Sequence, residues 1–177
     1  MKRIFYLTCT LPMLVLLMSG CGPSPRDQEY VRAMRPVVVQ YAELVGDFSN
    51  YLPEDFAKFS DNIEALRKQA ILVYPPQSGK LKKFNGDFIE LLKKAKKAGF
   101  TFGTEFLDNE EEANAAKAFD KKVDIADKWR WEARESSQGF VDAHQNLKPA
   151  MQKTFEYPVG DVDLKATIDA FAKRLTQ

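Results

Sequence analysis

Apolar side chains recur at steps of three and four residues along most of this chain, a spacing typical of one face of an α-helix. The longest stripe lies within residues 109–155, and shorter ones lie within residues 30–50, 53–74, 80–98 and 161–177. No β-hairpin signal and no long internal repeat interrupts this pattern. The sequence therefore predicts an all-α fold, an antiparallel bundle of four to five helices joined by short loops.

The stripe within residues 109–155 raises the question of one long helix. Its apolar positions are Ala116, Phe119, Val123, Ala126, Ala133, Phe140, Leu147 and Met151. A continuous helix over this span would be roughly 70 Å long, which is long for a domain of this size. The polar segment at residues 136–139 is its weakest point, but the apolar phase continues across it and favours a bend over a break. The sequence leaves open whether this helix is continuous.

Two glycines follow the stripe of residues 80–98. Gly99 is placed like the glycine that ends a helix in the left-handed conformation. The next segment, FTFGTEF at residues 100–106, alternates apolar and polar residues, but Gly103 interrupts the alternation. We therefore predict that the helix ends near Gly99 and that a packed connector, rather than a strand, follows it.

The third predicted helix is rich in lysine. Its lysines surround the apolar stripe and are Lys80, Lys82, Lys83, Lys93, Lys94, Lys96 and Lys97. A basic amphipathic helix of this kind can bind anionic lipid. Because Asp87 and Glu90 lie among the lysines, we interpret the lysine-rich side of this helix as a face exposed to solvent. The alternative is that this side binds a lipid surface.

The first residues have the composition of a secretory signal. Lys2 and Arg3 are followed by the uncharged run IFYLTCTLPMLVLLM, which is 15 residues long. A membrane-spanning helix needs roughly 20 apolar residues. The run is therefore shorter than a transmembrane anchor and typical of a signal peptide.

A cysteine follows the apolar run in an unusual setting. Met18 occupies the −3 position before Cys21, where an ordinary signal peptidase site has a small residue. The stretch MSGC resembles the lipobox of bacterial prolipoproteins, Leu-Ala/Ser-Gly/Ala-Cys, and departs from it only at Met18. The resemblance implies signal cleavage after Gly20 and lipidation of the Cys21 thiol. Acyl chains attached there would incorporate labelled palmitate. The alternative is a signal peptide followed by an unrelated cysteine.

The same resemblance implies a location. A domain anchored by lipid at Cys21 lies in the cell envelope, outside the cytoplasm. Gly22 follows the cysteine where Asp would favour the inner membrane, so the resemblance favours the outer membrane facing the periplasm. The predicted organisation is a signal peptide at 1–20, a lipidated tether at 21–28 that reaches roughly 20 Å at most, and a single helical domain at 29–177.

Charge and cysteine content narrow the classes of partner. The chain has 26 basic and 25 acidic residues, and this balance does not favour nucleic acid as a partner. Cys9 and Cys21 are its only cysteines. Because Cys9 lies in the signal peptide and Cys21 would carry the lipid, we expect no disulfide in the mature domain.

His144 is the only histidine, so a catalytic triad or an imidazole base would have to use it. It lies on the apolar stripe near Phe140 and Leu147, and we interpret it as a core-flanking residue with hydrogen-bonded nitrogens. Met151 lies on the same face, so a His/Met haem or copper site is the alternative. Structural zinc would need more cysteine and histidine ligands. We expect no catalytic residue, no metal and no cofactor.

Trp129 and Trp131 are two residues apart, about 200° around a helix, so one face cannot bury both. Trp129 is expected beside the apolar stripe. Trp131 is expected beneath a neighbouring helix or the connector. If it is instead exposed, Trp131 with Arg130 and Arg134 has the composition of a protein-interaction surface.

These features predict a membrane-anchored envelope lipoprotein with a non-catalytic helical domain that binds another envelope protein. The alternative is a helical-bundle carrier of a small hydrophobic ligand or haem. The carrier alternative predicts that such a ligand copurifies with the protein.

Overall fold

A computed structural model describes residues 23–177. The predicted signal peptide, Gly20 and Cys21 lie outside the described residues. Over the described range the protein is all-α, without a β-strand, and the predicted helical bundle is confirmed. Its α-helices are α1 Pro25–Gly46, α2 Pro53–Leu72, α3 Gly79–Phe100, α4 Phe106–Ala115, α5 Phe119–Phe155 and α6 Lys165–Leu175.

The first helix, α1, begins earlier than predicted. The Ser24 hydroxyl caps it by accepting a hydrogen bond of 3.1 Å from the Asp27 amide. Pro25 occupies the first turn, where a backbone N–H has no acceptor within the helix, so the N–H that proline lacks is not missed. Residues 25–28 of the predicted tether are therefore helical. The helix also ends at Gly46, one turn before its predicted end, and a short 3-10 turn leads to α2.

Gly99 and Gly103 do not end the third helix. The chain continues from α3 through the π-helical residues Thr101–Glu105 into α4, which corrects both the predicted helix end and the predicted connector. The reason is the close approach of α2. A Cβ atom on Gly103 would lie 2.3 Å from the backbone nitrogen of Ala57, and one on Gly99 would lie 2.7 Å from the Phe59 ring. The two glycines thus let helix backbones meet.

The long apolar stripe is divided at residues 116–118, between α4 and α5. The long helix, α5, spans 37 residues and continues without a break through residues 136–139. Both serine hydroxyls of that polar segment donate hydrogen bonds to carbonyl groups three residues earlier. These bonds satisfy the hydroxyl groups within the helix, and Phe140 directly after them is fully buried.

The last helix begins later than predicted. It begins at Lys165, whose amide donates a hydrogen bond of 2.9 Å to Asp163. Asp161, at the start of the predicted range, lies four residues before the helix, and its carboxylate pairs with Lys148 Nζ at 2.7 Å. Residues 156–164 lie along α5 and contribute to the core three buried apolar side chains, Val159, Val162 and Leu164.

Aromatic rings fill the space where α4, α5 and α6 meet. Trp129 of α5 packs against Phe102, Phe106 and Phe171, with ring centroids between 5.1 and 6.0 Å apart. Such pairs contribute about 0.5–1.5 kcal/mol each beyond the burial of their area. This cluster fixes the rotation of α5 about its axis, and with it the direction of the residues on the opposite face.

Candidate functional site

Trp129 and Trp131 lie on different faces of α5, as their spacing predicts. Trp129 is fully buried, and its indole Nε1 donates a hydrogen bond of 3.0 Å to the carbonyl oxygen of Thr101. Trp131 is 65% exposed. The expected burial of Trp131 beneath a neighbouring helix is therefore wrong. Because Trp129 takes the place in the core, the helix has no second buried position two residues later.

Arg130 and Arg134 lie on the same side of α5 as Trp131, within about 100° of the helix circumference. The Arg130 guanidinium pairs with Asp127 on the preceding turn. The Arg134 guanidinium lies 4.0 Å from the Asp169 carboxylate of α6, and both side chains are largely exposed. An exposed pair at that distance contributes little to stability. The structure therefore brings the three predicted residues together on one accessible face.

A groove between α5 and α6 lies beside this face. It has a volume of about 550 Å³, and Arg134 forms part of its wall. Val141 and Ile168 contribute apolar surface to it, and Asp163 and Asp169 contribute carboxylates. We call Trp131, Arg130, Arg134 and this groove the α5–α6 surface. The groove was not visible in the sequence, because it depends on how α6 lies against α5.

His144 lies in the core, and both of its ring nitrogens are hydrogen-bonded. Nδ1 lies 2.7 Å from the Tyr41 hydroxyl oxygen, and Nε2 lies 2.9 Å from the Gly160 carbonyl oxygen. Since a carbonyl oxygen only accepts, Nε2 carries the proton and Nδ1 accepts from Tyr41. Burial lowers the pKa of His144 and raises the pKa of Tyr41 well above its ordinary value. The prediction of a hydrogen-bonded histidine at the core is confirmed.

This geometry also bears on the haem alternative. Met151 is buried on the same helix, but a metal bound to His144 would have to displace Tyr41 or Gly160 from a ring nitrogen. Within residues 23–177, no three His, Cys, Asp or Glu side chains cluster in a way that could hold a metal ion. Nor does any buried side-chain nitrogen or oxygen of that range lack a hydrogen-bond partner. His144 therefore acts here as a structural link between α1, α5 and the segment that follows α5.

Asp27, in the first turn of α1, was not predicted as important. It is 4% exposed, and its Oδ1 accepts hydrogen bonds from the backbone amides of Gln77 at 2.7 Å and Ser78 at 3.0 Å. These bonds lower the pKa of the Asp27 carboxyl, the one from Ser78 most strongly. Asp27 thus clamps the start of α1 to the loop between α2 and α3. This role was not visible in the sequence, because the loop that Asp27 binds is 50 residues away.

Arg26 reinforces this clamp. Its Nε donates a hydrogen bond of 3.0 Å to the Pro75 carbonyl oxygen, and its guanidinium carbon lies 4.2 Å from the centroid of the Tyr74 ring. Contacts of this cation–π type hold the two side chains together at an exposed site. The position at which the chain enters α1 is therefore fixed relative to the loop at residues 73–78.

Two further contacts place other helices at the same end of the bundle. The Tyr30 hydroxyl of α1 donates a hydrogen bond of 3.0 Å to Asn85 of α3. Phe155, at the end of α5, packs on Phe84 near the start of α3, with ring centroids 5.2 Å apart. One end of the bundle thus gathers the start of α1, the end of α2, the start of α3 and the end of α5. We call it the anchor end, because Cys21 precedes the described chain there.

Among residues 23–177, no helix combines the length and the apolar composition that a bilayer crossing requires. Compared with protein-family models, with curated protein sequences and with solved structures, the chain gives no significant match.

Proposed function

We propose that this protein is an envelope lipoprotein, anchored through Cys21, whose helical domain binds another envelope protein and is not an enzyme. The observation that carries the proposal is the exposed Trp131 beside Arg130 and Arg134, of which Arg134 also lines the groove between α5 and α6. Trp131 makes no contribution to the aromatic core that Trp129 occupies, so its ring is available to a partner.

The anchor is supported by the order of the N-terminal residues. A basic start, an uncharged run and the sequence Ser19-Gly20-Cys21 resemble a prolipoprotein signal. Cleavage after Gly20 would leave Cys21 only four positions before Pro25, the first residue of α1, and that spacing spans about 14 Å at most. Two or more acyl chains hold a protein stably on a membrane, whereas one holds it marginally. The domain would then lie outside the cytoplasm, most readily on the outer membrane facing the periplasm.

The chemistry of the α5–α6 surface suits a protein partner. Tryptophan and arginine are enriched among the residues that carry most of the free energy of protein association. A partner that covers Trp131 would remove a large apolar ring from water. The neighbouring groove offers Val141 and Ile168 to an apolar side chain, while its Asp169 carboxylate already lies 4.0 Å from the Arg134 guanidinium. The partner face that fits therefore presents an apolar group to Trp131 and the groove.

Crosslinking in the native membrane tests this surface. The acylated protein is crosslinked in its own envelope and purified, and the double variant Trp131→Ala, Arg134→Ala is compared with the unmodified chain. We expect the crosslinked species to be lost while the circular dichroism spectrum stays helical. Phe119→Ala is the matched control, because Phe119 is also 65% exposed and also lies on α5, but about 18 Å along the helix from Trp131.

Two outcomes would contradict the assignment. Unchanged crosslinking in the double variant would remove the α5–α6 surface from consideration. Equal loss of crosslinks in Phe119→Ala would show that apolar exposure in general, rather than this surface, makes the contact.

A further inference from the structure

We propose that the anchor end of the bundle lies directly on the membrane that holds Cys21, with anionic phospholipid of that bilayer as its binding partner. This inference rests on the lipid anchor proposed for Cys21. It adds a second membrane contact, made by the folded domain itself, to the contact made by the acyl chains.

The first support is the place where the described chain begins. Cys21 precedes Pro23 by two positions, which span about 7 Å at most. The clamp of Asp27 on Gln77 and Ser78 fixes this entry point against the loop between α2 and α3. The opposite end of α1, a helix of 22 residues, lies about 33 Å away. Because only two residue spacings separate Cys21 from Pro23, a lipid on Cys21 would lie near this end of the bundle.

The second support is a group of exposed apolar side chains at that end. Leu72 is 84% exposed, Tyr74 is 69% exposed and Ile71 is 51% exposed, and all three lie at or just after the end of α2. Tyrosine is typical of the water–lipid interface, where its ring lies among the lipids and its hydroxyl remains hydrated. Arg26 holds the Tyr74 ring in place from one side. These side chains would enter the interfacial layer of a bilayer beneath them.

The third support is the charge around the entry point. A groove of about 550 Å³ adjoins Pro23, and its wall combines the apolar Val31 and Leu81 with three cations. These cations are Arg32, Arg35 and Lys80, and the one carboxylate in the wall, Asp27, accepts hydrogen bonds from the Gln77 and Ser78 amides. None of the three forms an ion pair with another described residue. Cations without a protein partner attract anionic headgroups when they lie within about 10 Å of them.

Fluorescence quenching in vesicles tests the contact. The acylated full chain, with either Leu72→Cys or Leu52→Cys, is labelled with a fluorophore and reconstituted into vesicles that contain phosphatidylglycerol and a spin-labelled lipid. The two leucines are matched, because both are exposed and they lie at opposite ends of α2, about 30 Å apart. We expect the fluorophore at position 72 to be quenched and the fluorophore at position 52 to remain unquenched. Equal quenching at both positions would overturn the inference.

The charge arm uses the triple variant Arg32→Gln, Arg35→Gln, Lys80→Gln. We expect it to lose quenching at position 72. The matched control replaces three exposed cations outside the anchor end that likewise form no ion pair among the described residues, with Lys94→Gln, Lys97→Gln and Lys117→Gln, and should keep the quenching. Quenching that is independent of the anchor-end cations, or equal in phosphatidylcholine vesicles, would overturn the role of anionic lipid.

The mass of the N-terminal peptide separates failure of this inference from failure of the anchor. Acylated Cys21 without quenching at position 72 would overturn the membrane contact of the domain and leave the anchor in place. An unmodified Cys21 would overturn both.

Discussion

The Tyr41 hydroxyl donates a hydrogen bond of 2.7 Å to Nδ1 of His144, from α1 to α5 across the core. Nε2 of the same ring donates to the Gly160 carbonyl oxygen at 2.9 Å. One neutral imidazole therefore connects two helices and the segment that precedes α6. A residue that the sequence presents as the only candidate for imidazole chemistry serves to hold the bundle together.

Loss of the Tyr41 hydroxyl should weaken the fold. Tyr41→Phe leaves Nδ1 of His144 buried without a donor, and an unsatisfied buried polar group costs about 1–3 kcal/mol. We expect a fall of that size in the free energy of unfolding, measured by urea denaturation. Tyr157→Phe is the control, because the Tyr157 hydroxyl makes only an exposed contact of 3.4 Å with Glu43. Equal losses in the two variants would contradict the role given to the pair.

The neutral state of His144 should make stability depend on pH. Burial lowers the pKa of His144 in the folded protein below its ordinary value of 6.5, so the unfolded chain binds the proton more readily. The corresponding stability is fully present above pH 6.5 and is lost as the pH falls from there through the folded-state pKa. We expect the free energy of unfolding to decrease between about pH 7 and pH 5, above the range in which exposed carboxyl groups titrate.

The control for this pH dependence is His144→Gln. His144 is the only histidine in the chain, so the variant should show no slope in the same window, whatever its absolute stability. A slope of the same size in His144→Gln would assign the pH dependence to another group and contradict the account.

The close approach of α2 to the π-helical residues Thr101–Glu105 should make Gly103 intolerant of any side chain. The Cβ of Gly103→Ala would lie 2.3 Å from the backbone nitrogen of Ala57. A backbone atom cannot relieve this clash by a change of side-chain rotamer. Overpacking of this kind costs about 1–3 kcal/mol or more. By contrast, Gly139 lies inside α5 with no atom within 4 Å of an added Cβ. Gly139→Ala should stabilise the protein by about 0.5–1 kcal/mol. In thermal or urea denaturation, the change in the free energy of unfolding should therefore be negative for Gly103→Ala and positive for Gly139→Ala.

The Asp27 clamp should be visible in amide exchange. Asp27→Ala removes the acceptor of the Gln77 and Ser78 amides, so we expect these amides to exchange faster with deuterium while the helices at the other end of the bundle keep their protection. Asp163→Ala is the control, since Asp163 accepts only from the Lys165 amide at the start of α6. If Gln77 and Ser78 keep their exchange rates in Asp27→Ala, the loop is held by other contacts.

The features that the sequence could predict are those that depend on periodicity. The spacing of apolar residues was enough for the helical class, and the two-residue separation of Trp129 and Trp131 was enough to place them on different faces. The burial of His144 followed from its register with Phe140 and Leu147. Each of these inferences uses residues within one helix.

The features that the sequence could not predict depend on what another segment supplies. Residues 116–118 are Ala-Lys-Ala, all good helix formers, and the break there allows α5 to turn back so that Trp129 reaches Phe106. In the sequence alone, Gly103 has the character of a connector residue. Only the structure shows that the backbone of α2 lies against it. The exposure of Trp131 likewise depends on which face of α5 the other helices leave uncovered.

We propose that Cys21 carries the lipid that holds this domain at the envelope, and mass spectrometry of the mature N-terminus tests this proposal most directly. The full chain is expressed in a bacterium, isolated from its membrane fraction and compared with Cys21→Ala after metabolic labelling with palmitate. We expect an N-terminal peptide that begins at Cys21 and carries a diacylglyceryl group, and we expect loss of the label in Cys21→Ala. A mature chain that begins at another residue, an unmodified Cys21, or label retained in Cys21→Ala would contradict it.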